Sequence, residues 1–456
     1  MNIDLIKKYN QPGPRYTSYP PATFFHTEFT ADDYKKHILK SNTEQPENIS
    51  FYVHIPFCSK LCLFCGCNTT ILRGEDTVSA YIDAVIKEIE TVAALLDKSR
   101  KISQVHWGGG TPNAISLNHI ERIMQTFDKY FSYTDNAEIA MEVNPAYLDF
   151  TDIDHLAKIG FNRLSIGIQD FDPNILKLVN RDSSKHPVKD LVEYMKKAGF
   201  QGVNLDLIYG LPHQTVESFK KSVAQAIEIS PERLVTFSYA HVPWVKKAQK
   251  QLETYGLPGP EEKLKMFNAG LQMLTRAGYV SIGMDHYAKP EDELSKALKN
   301  KKLHRNFQGY ATRETTGQVY GFGTSSISQL NGAYIQNTKL LKKYIESINS
   351  TGFAVERGYE LSTEDIIRRD VITEIMCNGY LNMHEKAQKH NISLEKLKET
   401  LGFKKDKLQK FIKDNLITFN KDILELKPEG FFVVRNIAMA FDPLLEIKNA
   451  QYSKTV

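Results

Sequence analysis

The sequence predicts an α/β fold in which parallel strands form a partial (β/α)6 barrel. Six short β-rich runs alternate with amphipathic helical stretches between about residues 50 and 240, and such alternation is typical of parallel sheets. The first 49 residues show no clean periodicity, whereas the pattern beyond Leu361 is mainly helical. We therefore expect three parts: an arm (1–49), a barrel domain (50–350) and a C-terminal helical domain (361–456).

The N-terminal part is rich in proline and aromatic residues, as in the run PGPRYTSYPPATFF at residues 12–25. Clusters of this kind are typical of irregular chain rather than of helices or strands. We expect an extended arm that lies on the barrel, where it can act as a lid.

Each strand-like run is followed by a helical pattern, and the functional loops of such folds lie at the carboxyl ends of the strands. The first helical stretch has the spacing of a single apolar helix face. The runs are SFYVHI, ISQVHW, EIAMEV, RLSIGI, GVNLDLI and RLVTFS, and the apolar face comprises Val78, Tyr81, Ile82, Val85, Ile86, Ile89, Val92 and Leu96.

The C-terminal part shows helical patterns that precede a strand pair around LITFNKDILELKP. Helices followed by a two-stranded ribbon indicate a winged-helix-like module. Such modules often bind DNA, but the sequence has no dense Lys/Arg stripe with base-reading polar residues. We therefore expect no nucleic-acid partner.

The composition is ordinary for a globular protein, with 41% hydrophobic and 25% charged residues among 456. No segment approaches the ~18 consecutive apolar residues of a membrane span, and the start MNIDLIKKYN lacks a signal-peptide core. We expect a cytoplasmic monomer without a membrane span. The 58 basic and 54 acidic side chains leave a formal charge of +4, which is compatible with a polyanionic small substrate.

Four of the five cysteines lie in one short run, YVHIPFCSKLCLFCGCNT at 52–69. The C-x3-C-x2-C spacing of Cys58, Cys62 and Cys65 suits a 4Fe-4S cluster with one iron left open, and Cys67 need not be a ligand. A structural zinc site of all four cysteines is the alternative, although such sites usually have two C-x2-C pairs and a longer spacer. A disulfide is less favoured because the N-terminus shows no signal peptide.

This cysteine run resembles the hallmark of the radical S-adenosylmethionine (SAM) superfamily. Together with PGPRYTSYP (12–20), HWGGGTP (106–112) and HRNFQGY (304–310), it resembles the oxygen-independent coproporphyrinogen III dehydrogenase family over nearly the whole chain. Related haem chaperones carry an aromatic residue two places after the third cysteine, so Cys67 speaks against that class. The complete barrel pattern speaks against a zinc-stabilised winged-helix regulator.

The resemblance implies a 4Fe-4S cluster and SAM as cofactors, with two SAM molecules bound. It implies that a 5′-deoxyadenosyl radical takes hydrogen from two propionates of coproporphyrinogen III. Each propionate then loses carbon dioxide and a second electron and becomes a vinyl group, which gives protoporphyrinogen IX for haem biosynthesis. A flavodoxin- or ferredoxin-like protein is the implied reductant.

The resemblance also assigns residues to the cofactors. Cys58, Cys62 and Cys65 would bind the cluster. The first SAM would contact Tyr52, Gly109, Glu142 and Ile327, and the second would contact Phe64, Gly110, Thr111, Gln169, Arg181, Asp206 and Ala240.

Several of these residues have structural alternatives. The Gly108–Gly110 run is equally typical of a tight turn. Asp206 lies in an apolar run and needs a partner, for which a salt bridge to Arg181 is the alternative, and Glu142 admits the same interpretation. Gln169 can instead cap a helix.

The implied substrate carries four carboxylates, so cationic groups should orient it. The motifs point to Arg15 and Arg305, with Gln308 and Tyr310 as further candidates from the same segment, and Cys67 is expected to act in product formation without binding iron. His54 and His106 lie in strand patterns and are expected to be core histidines. Cys377 is expected to be a packed helix residue.

Overall fold

Six parallel strands form the centre of the structure, as the sequence predicts. The computed structural model describes residues 3–312 and 318–446. Its first strands are β1 (Ile49–Ile55), β2 (Phe57–Cys58), β3 (Thr70–Ile71), β4 (Lys101–Gly109), β5 (Ser132–Val143), β6 (Arg163–Gln169), β7 (Gly202–Tyr209) and β8 (Arg233–Ser238). Strands β1, β4, β5, β6, β7 and β8 pair in parallel in this order. Their carboxyl ends therefore meet at one edge of the sheet.

Helices connect these strands and share a hydrophobic core with them. They are α3 (Glu75–Ala93), α4 (Leu117–Tyr130), α5 (Phe150–Lys158), α7 (Val188–Lys197) and α8 (Val216–Ile229). Helix α6 (Pro173–Leu178) follows β6 and packs in a smaller cluster, and α1 (Ile3–Tyr9) and α2 (Ala31–Ser41) precede β1. Helix α3 buries the predicted apolar face, including Val78, Tyr81, Val85 and Ile89. This prediction is confirmed because a 3.6-residue repeat of apolar side chains gives a helix one face to bury.

The sheet is wider than the sequence analysis indicates. The further strands are β9 (Val280–Gly283), β10 (His286–Ala288), β11 (Leu303–Arg305), β12 (Tyr310–Thr312), β13 (Val319–Phe322), β14 (Ile327–Gln329), β15 (Ala333–Asn337) and β16 (Val355–Glu360). The helices in this part of the chain are α9 (Lys250–Glu253), α10 (Pro260–Arg276), α11 (Glu293–Lys299) and α12 (Leu341–Thr351). Strand β13 pairs in parallel with β1, and β14 to β16 continue antiparallel beyond it. On the other side β10 and β9 follow β8. The barrel stays open, with β16 and β9 at the edges of the described sheet.

The N-terminal part is only partly extended. Residues 10–30 are irregular apart from a 3-10 turn at Ala22–Phe24, but helices α1 and α2 flank them. Helix α2 begins at a capping box, in which the Thr30 side chain accepts from the Asp33 main chain and the Asp33 carboxylate accepts from the Thr30 main chain. The proline-rich run hides these two short helices from a periodicity analysis of the whole segment.

Three tyrosines of the arm belong to the hydrophobic core of the C-terminal domain: Tyr9, Tyr16 and Tyr19. The hydroxyl groups of Tyr16 and Tyr19 each donate to the buried Asp442 carboxylate at 2.9 Å. The arm therefore joins the barrel to the C-terminal domain.

The C-terminal domain has the predicted winged-helix-like arrangement with one additional strand. Its elements are α13 (Thr363–Asn378), β17 (Tyr380–Asn382), α14 (Met383–Lys389), α15 (Leu394–Thr400), α16 (Asp406–Lys413), β18 (Ile417–Asn420), β19 (Ile423–Leu426) and α17 (Val434–Ala438). Strand β19 pairs with both β17 and β18. Lys421 and Asp422 form the two-residue turn of the predicted hairpin, and both have positive φ, as a type I′ turn requires. Among the described helices, none is long and apolar enough to cross a membrane.

Candidate active site

The cysteine loop follows β1 at the carboxyl edge of the barrel, as predicted. Its two ends are held together because Thr70 donates its main-chain N–H to Pro56 (2.8 Å) and Leu72 donates to Cys58 (3.0 Å). Cys58 is buried, Cys62 and Cys65 are partly buried and Cys67 is exposed. All five cysteines are free thiols, so the disulfide alternative is wrong.

The thiols of the loop lie close enough to influence one another. Burial raises the pKa of Cys58 and of Cys62. A hydrogen bond from the Cys67 side chain lowers the pKa of Cys65, and the same bond raises that of Cys67. Two polar side chains approach the sulfurs: Thr111 Oγ1 lies 3.5 Å from Cys58 Sγ, and Arg181 Nη1 lies 3.6 Å from Cys62 Sγ.

The donor set of this loop fits an iron-sulfur cluster. Cys58, Cys62 and Cys65 offer three sulfurs and no oxygen or nitrogen ligand, and Arg181 provides a positive charge that favours their thiolate forms. In the described parts of the chain, no three His, Cys, Asp or Glu side chains are arranged to hold a single metal ion. A cluster differs in this respect because its cysteines bind separate irons.

The glycine run at the end of β4 allows the cysteine loop to lie directly against the sheet. A Cβ atom on Gly109 would lie 2.7 Å from the His54 ring, and one on Gly110 would lie 2.7 Å from the Pro56 carbonyl oxygen. Gly110 donates its N–H to Ile55 O at 2.7 Å, and Thr111 donates to Phe57 O at 2.9 Å. The run thus packs closely against the cysteine loop, and Gly110 also lines a cavity.

A small polar cavity of about 100 Å³ lies beside the loop and brings six of the predicted SAM-binding residues together. They come from the ends of several neighbouring strands. These residues are Gly110, Thr111, Glu142, Gln169, Arg181 and Asp206.

Asp206 and Arg181 both line this small cavity but do not pair with each other. Asp206 accepts from Ser165 Oγ at 3.0 Å and from Asn204 Nδ2 at 2.7 Å, whereas Arg181 donates to the Gly167 carbonyl oxygen and to Cys62 Sγ. Burial, with a smaller effect from the Glu142 charge, raises the pKa of Asp206 to about 6. The salt-bridge alternative for Asp206 is therefore wrong.

Glu142 and Gln169 also differ from their structural alternatives. Glu142 is half exposed, and its Oε1 lies 3.2 Å from His106 Nε2 rather than near an arginine or lysine. Gln169 ends β6 with φ of 70°, and the next helix is capped by Asp172 instead. Both side chains are thus available to the small cavity.

The other predicted SAM-binding residues lie around the loop without lining the small cavity. The Tyr52 ring stacks on that of His106 with 6.1 Å between the centroids, and the Tyr52 hydroxyl lies 3.0 Å from His54 Nδ1. The second ring nitrogen of His54 lies 3.0 Å from Asn68 O, so the prediction of a buried, hydrogen-bonded His54 is confirmed. Ile327 lies on β14, beyond the strand that pairs with β1.

Phe64 and Ala240 are linked by one buried side chain. Gln249 Nε2 donates to the carbonyl oxygens of Phe64 (3.0 Å) and Ala240 (3.3 Å). Lys246 donates to Cys67 O at 2.6 Å. The segment after β8 therefore supports the far side of the cysteine loop.

A much larger cavity of about 670 Å³ opens beside Ala240. Its wall combines the arm, the ends of β7 and β8, helix α10 and the C-terminal domain. Among the wall residues are Arg15, Tyr209, Ala240, Lys263, Asp285 and Arg435. A volume of this size lies within the range of small-molecule sites.

The large cavity contains basic groups that the sequence analysis missed. Burial lowers the pKa of Lys263 to about 8. Burial also lowers the pKa of Arg435 to about 9, with smaller effects from the charges of Arg15 and Arg305. No motif in the sequence marks Lys263 or Arg435. An accumulation of partly desolvated cations favours an anionic ligand.

Of the predicted substrate-binding residues, only Arg15 lines the large cavity. Arg305 lies behind it and donates from Nη1 to the Arg15 main-chain oxygen at 2.6 Å. Arg305 Nε, Gln308 Oε1 and the Tyr310 hydroxyl are buried without a hydrogen-bond partner in the described chain. Cys377 is fully buried in α13, as predicted.

The open parallel barrel with a three-cysteine loop after its first strand defines a radical SAM protein, and the radical SAM superfamily matches residues 52–226. The HemN C-terminal domain family matches residues 361–433. More narrowly, the chain belongs to the family of oxygen-independent coproporphyrinogen III oxidases. The resemblance noted in the sequence is thereby confirmed.

Two relatives and one solved structure support this assignment. The chain is 42% identical to oxygen-independent coproporphyrinogen III oxidase of Synechocystis sp. over 99% of its own length and 96% of the relative. It is 40% identical to the enzyme of that name from Escherichia coli over 100% of its length and 98% of the relative. The solved structure of coproporphyrinogen III oxidase (HemN) from Escherichia coli, described as a radical SAM enzyme, superposes with a TM-score of 0.89 at 38% identity, covering 97% of this chain and 98% of that one.

Proposed function

We propose that this protein converts two propionate groups of coproporphyrinogen III to vinyl groups without oxygen, which yields protoporphyrinogen IX for haem biosynthesis. Besides membership of the family, one structural observation supports this proposal. The cation-lined large cavity opens at the same carboxyl edge of the sheet as the cysteine loop, and Gln249 links the two by donating to Phe64 in the loop and to Ala240 on the cavity wall. A large organic anion would thus lie next to the reactive centre.

Cys58, Cys62 and Cys65 would hold a 4Fe-4S cluster, with Cys67 outside its ligand set. When bound, the cluster and SAM supply a carbon radical that takes a hydrogen atom from the substrate propionate. The proposed contacts of the first SAM are Tyr52, Gly109, Glu142 and Ile327. A second SAM would contact Phe64, Gly110, Thr111, Gln169, Arg181, Asp206 and Ala240.

The chain's own residues then orient the substrate and exclude water. Arg15 lines the large cavity from the arm, and Arg435 lines it from the C-terminal domain while its guanidinium donates to the Gly13 and Pro14 carbonyl oxygens of the arm. Charge-assisted hydrogen bonds from such groups can hold carboxylates in fixed positions. Arg305 supports Arg15 from behind through the 2.6 Å hydrogen bond to its main chain, and Gln308 would assist from the same segment.

The remaining parts of the proposal concern organisation and partners. The arm (1–49) would close over the substrate, residues 50–350 would carry the chemistry, and the C-terminal domain (361–456) would complete the cavity wall. A flavodoxin- or ferredoxin-like protein would supply electrons to a cytoplasmic monomer.

Anaerobic reconstitution with iron and sulfide tests this function directly. The reduced protein is incubated with SAM and coproporphyrinogen III, and the products are oxidised and separated by chromatography. We expect protoporphyrin to accumulate together with methionine and 5′-deoxyadenosine. Cleavage of SAM without any loss of propionate groups would contradict the proposal.

A further inference from the structure

Lys263 lies on helix α10, and its side chain spans the ends of two barrel strands. Its Nζ donates to the main-chain oxygen of Tyr239, just after β8, at 2.8 Å. Its methylene groups lie against Gly210, just after β7, where a Cβ atom would be 2.8 Å from Lys263 Cε. The ammonium group is therefore held at the carboxyl edge of the barrel, on the wall of the large cavity.

This ammonium group is a cation without a counter-charge from the described chain. Within residues 3–312 and 318–446, its one side-chain hydrogen bond is the bond to Tyr239, and it forms no ion pair. Burial alone lowers its pKa, to about 8. An ammonium has three donors, and a desolvated charge is stabilised by an anionic partner. Lys263 thus has donors left for an anion that comes from outside the chain.

We propose that Lys263 binds a propionate carboxylate of the porphyrinogen, an inference that rests on the proposed function. SAM also carries a carboxylate, but six of its eleven proposed contacts line the small polar cavity, which has its own cation, Arg181, and which Lys263 does not line. Of those eleven contacts, Ala240 is the one that lines the large cavity. Arg15 and Arg435 line other parts of the large cavity. Several of the four substrate carboxylates would therefore each lie near a cationic side chain.

Three variants test the role of the charge. Lys263→Met removes the charge while its apolar side chain can still pack on Gly210, and Lys263→Arg keeps the charge. The exposed Lys265 lies on the same helix, so Lys265→Met is the matched control, since residues two apart do not share a helix face. Lys263→Gln replaces Lys263→Met if that variant does not fold.

Reconstituted enzymes are compared by kcat and KM for coproporphyrinogen III. Fluorescence titration gives the Kd of coproporphyrin III, the oxidised form with the same four propionates, and a separate titration gives the Kd of SAM. We expect Lys263→Met to raise KM and the porphyrin Kd about tenfold to a hundredfold. SAM affinity should match wild type, Lys265→Met should match in every measurement, and Lys263→Arg should recover most porphyrin affinity.

A pH series separates a charge effect from a packing effect. Because Lys263 loses its proton near pH 8, porphyrin affinity of the wild type should fall as the pH rises from 7 to 8.5, and Lys263→Met should lack the part of this fall that comes from Lys263. The variants retain every other titratable or charged group on the cavity wall, so contributions from these groups are common to all proteins. These groups are Lys7, Arg15, Tyr209, Tyr239, His241, Glu261, Asp285 and Arg435.

Two outcomes would overturn the inference while leaving the proposed function intact. One is an unchanged porphyrin Kd and KM in Lys263→Met, with the wild type fully active. The other is weaker SAM binding with unchanged porphyrin binding, which would assign the lysine to the cofactor. A wild-type protein that converts no coproporphyrinogen III would instead overturn the proposed function, and the inference with it.

Discussion

Arg435 Nε lies 3.0 Å from the main-chain oxygen of Pro14, so the C-terminal domain holds the N-terminal arm by its backbone. Arg435 Nη2 also donates to the carbonyl oxygen of Gly13, and Arg305 donates to that of Arg15. Two buried arginines therefore fix three consecutive carbonyl groups next to the large cavity. The position of Arg15 depends on both of them.

Replacing Arg435 by methionine should release the arm without disturbing the cysteine loop. We expect Arg435→Met to keep wild-type iron content and SAM affinity but to lose at least tenfold in kcat/KM for coproporphyrinogen III, because a misplaced Arg15 no longer orients the substrate. Limited proteolysis should cleave residues 10–30 faster. The exposed Arg276 provides the control variant Arg276→Met. Wild-type turnover together with a wild-type cleavage rate would show that the arm needs no such tether.

The four loop cysteines should separate into two groups on mutation. Replacing Cys58, Cys62 or Cys65 by alanine should abolish the brown chromophore of the anaerobically reconstituted protein, since each removes a sulfur ligand. Cys67→Ser should retain iron, because Cys67 is exposed and its thiol serves Cys65 as a hydrogen-bond donor that a serine hydroxyl can replace. It should lose product formation, in which Cys67 is proposed to act. Iron content and product formation are measured on the same samples of each variant. Loss of iron in Cys67→Ser would show that Cys67 is a cluster ligand.

Glu142 should contribute to SAM binding at the small cavity. Glu142→Ala should keep its cluster and bind SAM about tenfold to a hundredfold less tightly, since a charge-assisted hydrogen bond contributes about 1.5–3 kcal/mol. His106→Phe removes the partner at 3.2 Å while leaving the carboxylate in place. If both variants lose the same affinity, the carboxylate acts through its contact with the histidine, and if neither loses affinity, Glu142 does not contribute to SAM binding.

Glu88 should make stability depend on pH. This buried carboxylate accepts from Gly323 N at 2.9 Å, Asn337 Nδ2 at 2.6 Å and the Tyr344 hydroxyl at 2.6 Å. Burial nevertheless raises its pKa from 4.5 to about 7. The folded state therefore binds the proton more tightly, and the contribution to the free energy of unfolding is complete below pH 4.5 and lost as pH rises through 7.

The consequence is measurable by denaturant unfolding of the protein between pH 5 and 8. Over this window Glu88 should lower the free energy of unfolding by about 2–3 kcal/mol, and Glu88→Gln should remove that part of the slope. Glu90, which is partly exposed on the same helix, gives the control Glu90→Gln. Equal slopes for wild type and Glu88→Gln would mean that the carboxylate keeps an ordinary pKa.

The parts of the fold that the sequence predicts are those with a local signal. The six barrel strands and the face of α3 repeat at intervals of a few residues, so a short window reveals them. Strands β9, β10 and β13 to β16 are mostly three to six residues long. They join the sheet through the pairing of β13 with β1 and of β10 with β8, and these pairings link segments far apart in the chain, which no local window contains.

The residues of the candidate site also differ in whether a local signal in the sequence reveals them. Cys58, Cys62 and Cys65 are neighbours in the chain and stay neighbours in the fold, so their spacing alone indicates a cluster. The sequence cannot show that Asp206 bonds Ser165 and Asn204 rather than Arg181. It also cannot distinguish Lys263 and Arg435 from surface residues of the same types.

The sequence by itself determined the class of fold and predicted a cluster-binding loop from the spacing of its cysteines, because short-range spacing encodes both. The other predicted cofactor contacts rest on the family resemblance. Tertiary structure alone decided the large cavity and its charges. The cavity exists only where the arm, the ends of β7 and β8, helix α10 and the C-terminal domain meet. The lowered pKa values of Lys263 and Arg435 follow from that packing, since burial and electrostatic fields depend on distance in space and not on position along the chain.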